Sequence, residues 1–586
     1  MHWHPQSPLL WFDELNALTL GESTAISITG SPSSGKTSAI IANIVLSMLM
    51  VGYGFLVVCV KRNQAAQFTA LAKLAKREAD IIHFSLKPDA QGRLWRCNIM
   101  AYLVSVHGEG AVEEIVQLLH HLMQFVEARH ADANQQQFWD RSSTILARYS
   151  ILLLIYSGIT LSFEALYRLI TSLPNHPDML DDIVWQKTSF YYKVRESAEK
   201  YATTPEQQRK LAVVTRYFTQ FMYLAERTRT SIIITLSSML DMFLTGMLND
   251  LYCTDTTFTP DDLNDGKLII MDMPINAEGG RTAQIAQFLF KYLSQKFLLR
   301  REIHENTPYV CILADEAHRI VSSLDYLLLA EGRESRVSMV YSTQTLDQYY
   351  AALQGNRDAA EALLNLFTLH IFAANSGNTN RFASQLIGQD ERIQHGWQVD
   401  SRGGIGISGS SQPDNIMPPW VFSQLRKGGS PSWVTECIIY RNGRAFSTGQ
   451  QFLRVVFPQI INGQRPAMPQ VTPVVFDSEE ALEPTQQWIN VLSILLSFLE
   501  NFFILKDNPA LLLHHAEEEF APLPNDQQNA HTPIVDIPAS QLLFSPAHDD
   551  EAQAEAIRHL TSPPLLLTGD ENDDAQEDDI GGNPPL

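Results

Sequence analysis

The chain is poor in several things that would narrow its class. It has only five cysteines in 586 residues, Cys59, Cys97, Cys253, Cys311 and Cys437, and no C-x-x-C pair. That spacing argues against a zinc site or a disulfide framework and suits a reducing cytosol. No run of about 20 uninterrupted apolar residues is present, so no transmembrane helix is expected. The nearest candidate, Trp488 to Leu505, carries Asn490, Ser493, Ser497, Glu500 and Asn501. Polar groups are costly in lipid, so a docked or partner-facing helix is expected there. The first residues lack the basic-then-apolar pattern of a signal peptide, and no repeat of fixed period is visible. Basic residues are also scarce: net charge is −22. The deficit is uneven. From Lys506 onward 17 Asp and Glu face only Lys506 and Arg558, a net of −15, which leaves −7 on everything before. The body is therefore mildly acidic, and a local basic channel for nucleic acid is not excluded. The tail, rich in Pro, Asp, Gln and Asn, reads as disordered. It serves either as a solubilising tail or as an acidic bait for a basic partner.

What the chain does have begins with GSPSSGKTS, Gly30 to Ser38. It fits G-x-x-x-x-G-K-[ST], with Gly30, Gly35, Lys36 and Thr37 in the fixed places. TAISITG before it reads as a buried strand, and the long apolar run KTSAIIANIVLSMLMVG after it reads as a buried helix. Strand, glycine loop and helix are what a phosphate cradle requires. Loop amides converge on phosphate oxygens, and the helix N-terminus adds partial positive charge. The expected nucleotide contacts are Gly30, Ser33, Ser34, Gly35, Lys36, Thr37 and Ser38. Lys36 would reach the β/γ-phosphates and Thr37 would hold Mg²⁺.

Strands and helices alternate on either side of a helical stretch. GFLVVCV (Gly54 to Val60) reads as a strand, QAAQFTALAKLAKREA (Gln64 to Ala79) as a helix and DIIHFSLK (Asp80 to Lys87) as a strand. From about Val112 to Leu251 helical periodicity dominates, with a core expected to be mostly its own. Strands resume with KLIIMDMPI, YVCILADEAH, SMVYSTQ and LHIFAAN. Residues 397 to 416, rich in Gly and Ser, read as a loop, and Trp433 to Gly449 as a strand pair turning at Asn442-Gly443. The fold class is thus α/β, a P-loop ATPase with a mainly parallel central sheet and an inserted all-α domain. The expected division is 1–110 and 256–460 for the ATPase domain, 111–255 for the insertion, 461–505 for a linker with an apolar helix, and 506–586 for the acidic tail.

Hydrolysis needs more than a cradle: a carboxylate on the metal and a group to activate water. Four apolar residues, Val310 to Leu313, run into Asp315 and Glu316. The C-terminal edge of a parallel sheet gathers such residues beside the glycine loop. Asp315 would hold Mg²⁺ and Glu316 would orient and deprotonate water. Asp315 to His318 spell DEAH, but nearly half the chain separates this box from the glycine loop, unlike superfamily 2 helicases. Gln344 ends the next strand, where an amide can sense the γ-phosphate or the lytic water. Arg333, after Gly332, stands where a loop arginine can reach a neighbouring subunit's nucleotide, with Arg336 as the competing candidate.

The glycine loop, the helical stretch, ILADEA, AEGRESRVSMVYSTQ and the strand after it resemble the type IV secretion coupling proteins. These are conjugative DNA-transfer ATPases of the FtsK/HerA superfamily, with a RecA-like core. WRCNIMAY, Trp95 to Tyr102, is similar to the family's W-R-x-N-P-L segment, and TFTPDDLNDGKLIIMDMPI to its run into the next strand. The likeness covers roughly residues 20 to 450. It implies Lys36 and Thr37 as the Walker A pair, Asp315 and Glu316 as the Walker B pair, Gln344 as the sensor glutamine and Arg333 as the trans arginine. Where the family has D-P-K-G, this chain has Cys59-Val60-Lys61-Arg62, and only Lys61 matches. Many members begin with transmembrane helices, whereas here the glycine loop starts at Gly30. The resemblance implies ATP and Mg²⁺, a hexameric ring, and DNA, a relaxase or secretion-system components as partners. The departure at the start of the chain, with no apolar span in the sequence, leads to the expectation of a cytoplasmic protein, at most peripheral to the inner membrane. Three functional readings follow: a motor moving DNA or a protein–DNA complex; a cytosolic ATPase delivering protein or serving mobile-element defence; and a nucleotide-switched scaffold.

Overall fold

Strands buried along their whole length build the frame. The computed structural model describes residues 3–89, 91–127, 133–275, 280–353, 355–399 and 405–466. The expected apolar helix at 488–505 and the tail lie outside them. In chain order the strands are β1 Pro8–Trp11, β2 Ala17–Thr19, β3 Ala25–Thr29, β4 Gly54–Cys59, β5 Ile81–Ser85, β6 Leu268–Asp272 and β7 Val310–Asp315. They continue with β8 Val337–Thr343, β9 Leu369–Ala373, β10 Gln389–Val399, β11 Ile405–Asn415, β12 Val434–Arg441 and β13 Phe452–Pro458. Nine of them form one sheet in the order β13-β12-β9-β3-β8-β7-β4-β6-β5. From β9 to β5 every neighbouring pair is parallel. At the other edge β12 runs antiparallel to β9 and β13 antiparallel to β12. Parallel strands are buried on both faces, which is why β3, β4, β7 and β8 read as continuous apolar runs.

Helices cover both faces. On one lie α1 Ala42–Met50, entered through a π-helical turn Lys36–Ile41, and α2 Gln64–Leu74. Their core takes Ile26 and Ile28 of β3, Phe55 and Val57 of β4 and Leu313 of β7. The opposite face receives the intervening side chains, such as Leu56, Val58, Ile312 and Met339.

The helical stretch comprises α3 Ile99–His107, α4 Ala111–Glu127, α5 Ala133–Tyr156, α6 Phe163–Thr171, α7 Ile183–Thr188, α8 Phe190–Tyr201, α9 Pro205–Met222, α10 Glu226–Leu240 and α11 Gly246–Tyr252. Caps set its boundaries. The Asn98 side chain accepts from the Ala101 amide at α3, and Thr204 with Gln207 forms a reciprocal capping box ahead of Pro205 at α9. Its apolar residues do not form a separate core. Leu119, Ile151, Phe163, Phe218 and Leu240 join the cluster that also holds the second sheet face. The helix returning to the sheet, α12 Gly280–Arg300, is the shared wall: Phe288, Leu289, Phe290 and Leu293 are buried in that cluster. The remaining helices are α13 Ser323–Glu331, α14 Asp347–Ala352, α15 Arg357–Asn365, α16 Gly377–Ile387 and α17 Pro419–Ser423. Among the described residues no single helix is long and apolar enough to cross a membrane.

Three readings of the sequence need correction. Within the stretch read as a loop, 397–399 and 405–415 are strand: β10 and β11 pair along their whole length as an antiparallel ribbon, from Gln389↔Asn415 to Val399↔Ile405. Gly and Ser, depleted in strands, hide an alternation in the sequence that starts at Ile393 and runs through Trp397 and Val399. The hairpin at Asn442-Gly443 is also different. A turn does follow β12, with Gly443 at φ +74, but the partner strand is β13, so the connection runs Asn442 to Gln451. The pairing goes to the apolar run FLRVVFP rather than to the polar residues just past the turn. Finally, α2 stops at Leu74 instead of Ala79, and Lys76 turns left-handed at φ +59.

Candidate functional site

The site forms where β3, β7 and β8 end side by side. The loop after β3 needs its glycines. A Cβ on Gly30 would lie 2.6 Å from Ser34 Oγ and 2.8 Å from Ala373 Cβ. Gly35 sits at φ +88, and a Cβ there would lie 1.9 Å from Thr435 Oγ1. Ser33, at φ +60, also takes the left-handed conformation. The loop therefore curls with little room behind it.

Lys36 is buried, and its Nζ donates to the carbonyls of Gly30 at 2.6 Å and Ser31 at 3.5 Å. Burial holds its pKa below the usual lysine value, while Asp315 and Glu316 pull the other way. Thr37 Oγ1 donates to Asp315 Oδ2 at 2.7 Å, joining the glycine loop to the end of β7. Ser38 anchors the far side: its hydroxyl accepts from Gln459 Nε2 at 2.6 Å, and its carbonyl from the Ile460 amide at 2.6 Å.

Asp315 and Glu316 are 2% and 4% exposed, so neither is a surface charge. Glu316 stands at φ +79, a conformation unfavourable for a residue with a Cβ. Its amide is held by the Ser342 carbonyl of β8 at 2.9 Å. Gln344 Nε2 donates to Glu316 Oε1 at 2.7 Å, and the Gln344 carbonyl accepts from Asn375 Nδ2 at 2.7 Å. Glutamate and glutamine, 28 residues apart, thus share one hydrogen bond at the sheet edge. His318 Nδ1 lies 3.6 Å from Glu316 Oε2 and 3.3 Å from Thr343 Oγ1. Burial lowers its pKa to about 4, so it is neutral at pH 7 and forms no ion pair there.

Below this edge a buried network fixes the segment that follows Glu316. Lys291 Nζ donates to the Ile320 carbonyl at 2.9 Å and to Asp325 at 2.7 Å. Asp325 also accepts from Tyr341 Oη at 2.6 Å and Gln295 Nε2 at 2.6 Å. Helix α12 and strand β8 are thereby tied to the loop that carries the carboxylates.

Arg333 is not brought to this edge. It is exposed, in the turn before β8, whereas Gln344 follows the strand's far end. Seven residues of strand separate the two ends, about 20 Å. Arg336 is committed elsewhere: its guanidinium donates to the carbonyls of His304, Glu305 and Thr307 at 3.1, 3.1 and 2.6 Å.

The sequence reading gave no site role to several contributors. Lys61, just after β4, forms an ion pair with Glu316 and lies 3.7 Å from Asp315 Oδ2. Gln64 donates to Asp315 Oδ2 at 3.0 Å. A polar residue directly after a buried parallel strand is the signal that marks Lys61. Thr435 and Gln459, packed on the glycine loop from β12 and the residue after β13, left no local signal because pairing across the sheet brings them there.

The residues fit a magnesium nucleotide. Asp315 Oδ1, Ser31 Oγ and Ser34 Oγ are buried without a hydrogen-bond partner. Buried polar atoms are rarely left so. Thr37 and Asp315 offer oxygen donors alone, the set Mg²⁺ takes together with phosphate oxygens.

Comparison with solved structures finds the conjugative coupling protein TrwBdeltaN70 in its unbound form. It is 14% identical, with 76% of this chain and 88% of that one covered and a TM-score of 0.46. TrwB in complex with ADP and Mg²⁺ is 12% identical, covering 77% and 88%, with a TM-score of 0.48. VirB4 of Thermoanaerobacter pseudethanolicus is 11% identical, covering 77% and 96%, with a TM-score of 0.39. Comparison with curated proteins found no match. The family described as type IV secretory system conjugative DNA transfer matches residues 5–396, well over half of the chain. The protein therefore belongs to the type IV secretory system conjugative DNA transfer family.

Proposed function

We propose that the chain is an ATP-hydrolysing motor that moves DNA or a protein–DNA complex. The observation that carries this reading is a pair of hydrogen bonds at one sheet edge: Thr37 to Asp315 at 2.7 Å and Gln344 to Glu316 at 2.7 Å. Together they join the glycine loop, two buried carboxylates and an amide in one cluster, which supports reading Asp315 as the metal carboxylate and Glu316 as the base. Family membership supplies DNA as the cargo class. The relatives described as complexes with ADP and Mg²⁺ and with a non-hydrolysable ATP analogue agree with this cofactor choice.

In this reading the loop amides and Lys36 hold the phosphates, with Thr37 and Asp315 on Mg²⁺. When bound, Mg²⁺ neutralises charge on the β- and γ-phosphates. Glu316 accepts the proton of the attacking water, and Gln344 orients Glu316 and that water. The products are ADP, inorganic phosphate and the proton held on Glu316 Oε1 or Oε2. Arg333 lies away from its own chain's cradle and in the open, which suits a role on a neighbouring subunit's nucleotide in a homo-oligomeric, hexameric ring. Relaxase and secretion-channel proteins are the partners this function requires. The test is phosphate release from ATP with and without DNA. DNA-stimulated turnover supports a DNA motor. Turnover indifferent to DNA but raised by a protein cargo supports delivery of protein, and absence of turnover with tight nucleotide binding supports a switched scaffold.

A further inference from the structure

The connection from β4 to α2 contributes a second cation to the nucleotide site, one that no phosphate-binding motif accounts for. It is pinned at several points. The Val60 carbonyl accepts from the Ile275 amide at 3.0 Å, and the Lys61 amide donates to Gln64 Oε1 at 2.8 Å. Asn63 turns left-handed at φ +68 to start α2, and Gln64 is itself fastened to Asp315. This delivers the Lys61 ammonium to Glu316 Oε1, the oxygen that also accepts from Gln344. The three partners differ in exposure. The Lys61 side chain is 39% exposed, whereas those of Asp315 and Glu316 are 1% and 5%.

Two buried carboxylates in consecutive positions are expensive unless a cation offsets them. Lys36 lends positive charge from nearby, but its Nζ is hydrogen-bonded to the Gly30 and Ser31 carbonyls rather than to either carboxylate. Lys61 is therefore the cation in direct contact with the carboxylates. An ammonium seated on Glu316 also competes with the proton that a base must accept. A terminal phosphate is a stronger attractor than one carboxylate, and Lys61 alone among these groups has a flexible stem and access to water. When Lys61 leaves, Gln344 still holds Glu316 in place.

We propose that Lys61 is the residue that discriminates nucleoside triphosphate from diphosphate: it pairs with Glu316 and, on triphosphate binding, transfers to the terminal phosphate, freeing Glu316 as the base. The proposal rests on the ATPase reading of the site and adds how the site recognises the third phosphate.

Calorimetric titration of the full-length chain with ADP and with a non-hydrolysable ATP analogue, both in excess Mg²⁺, tests it. Lys61→Met removes the ammonium. Affinity for the analogue falls roughly 10- to 100-fold, the worth of one hydrogen bond to a charged group, while affinity for ADP changes less than about 2-fold. Lys61→Arg keeps the charge and restores most of the preference. Lys61→Gln, which can still hydrogen-bond Glu316, shows the same loss as Lys61→Met. Equal losses for both nucleotides, or no loss for either, overturn the proposal. So does failure of both Lys61→Met and Lys61→Gln to give a cooperative melt, because Lys61 is then only a structural counter-charge. Wild-type protein that binds neither nucleotide defeats the ATPase reading itself, a result distinct from wild-type binding that Lys61→Met leaves unaltered.

Discussion

Replacing Gly35 with alanine adds one methyl group and attacks two constraints together. The residue sits at φ +88 in the glycine loop. A left-handed conformation costs an L-residue about 1–2 kcal/mol. The new Cβ would also lie 1.9 Å from Thr435 Oγ1, 3.1 Å from Thr435 Cβ and 3.3 Å from Gly428 Cα. Thr435 cannot retreat. It is fully buried in β12, which is paired with β13 on one side and β9 on the other. Overpacking of this kind adds about 1–3 kcal/mol. The expected loss is about 2–5 kcal/mol if the chain absorbs both costs. If the loop shifts instead, the loss appears in nucleotide affinity. The assay is a urea unfolding midpoint beside equilibrium binding of a fluorescent ATP derivative. A second substitution, Thr435→Ala, separates the two costs, because it removes the clashing oxygen and leaves the dihedral strain. Gly35→Ala with Thr435→Ala should recover about 1–3 kcal/mol relative to the sum of the single changes. Wild-type unfolding and binding in Gly35→Ala would refute the packing of β12 against the glycine loop. So would a double variant that is merely additive.

The remaining expectations address charge, assembly and pH. Lys36→Ala should lose nucleotide binding and hydrolysis together, whereas Glu316→Gln should keep ATP bound; equal loss of binding in both variants contradicts the assigned roles. Arg333→Ala subunits mixed with Lys36→Ala subunits should regain turnover, since each offers the part the other lacks, and no recovery at any ratio with assembly intact contradicts a trans role. His370, the second residue of β9, is buried, and burial lowers its pKa to about 4. The unfolded chain binds this proton near its ordinary value of about 6.5, so stability is complete above that pH and falls as pH drops toward 4, by roughly 3 kcal/mol from this residue. His370→Phe, stacking beside Phe372, should flatten that part of the melting-temperature profile between pH 7 and 4.5; an unchanged slope contradicts the account.

Local signals carried the motor's core because its strands are buried on both faces and its chemistry stands at their ends. ILAD running into Glu316 and YST running into Gln344 were legible for that reason. The glycine loop was legible because few sequences satisfy its dihedrals. What escaped was whatever tertiary pairing decides. Thr435 reaches Gly35, and Gln459 reaches Ser38, across hundreds of residues, and nothing near either residue announces the contact. Lys61 was visible as a lone match to a family motif, but its partner Glu316 became known only once β4 and β7 were seen as neighbours. The ribbon of β10 and β11 was misread because its strands are rich in residues that favour loops.

The most direct measurement is single-turnover hydrolysis of ATP by the wild-type chain and by Glu316→Gln, at saturating Mg²⁺ and enzyme in excess. Removing a general base costs about 10²- to 10⁴-fold. The account predicts a wild-type burst of phosphate and a loss of that size in Glu316→Gln, with ATP still bound. Hydrolysis by Glu316→Gln at the wild-type rate, or none by the wild-type chain, would contradict it.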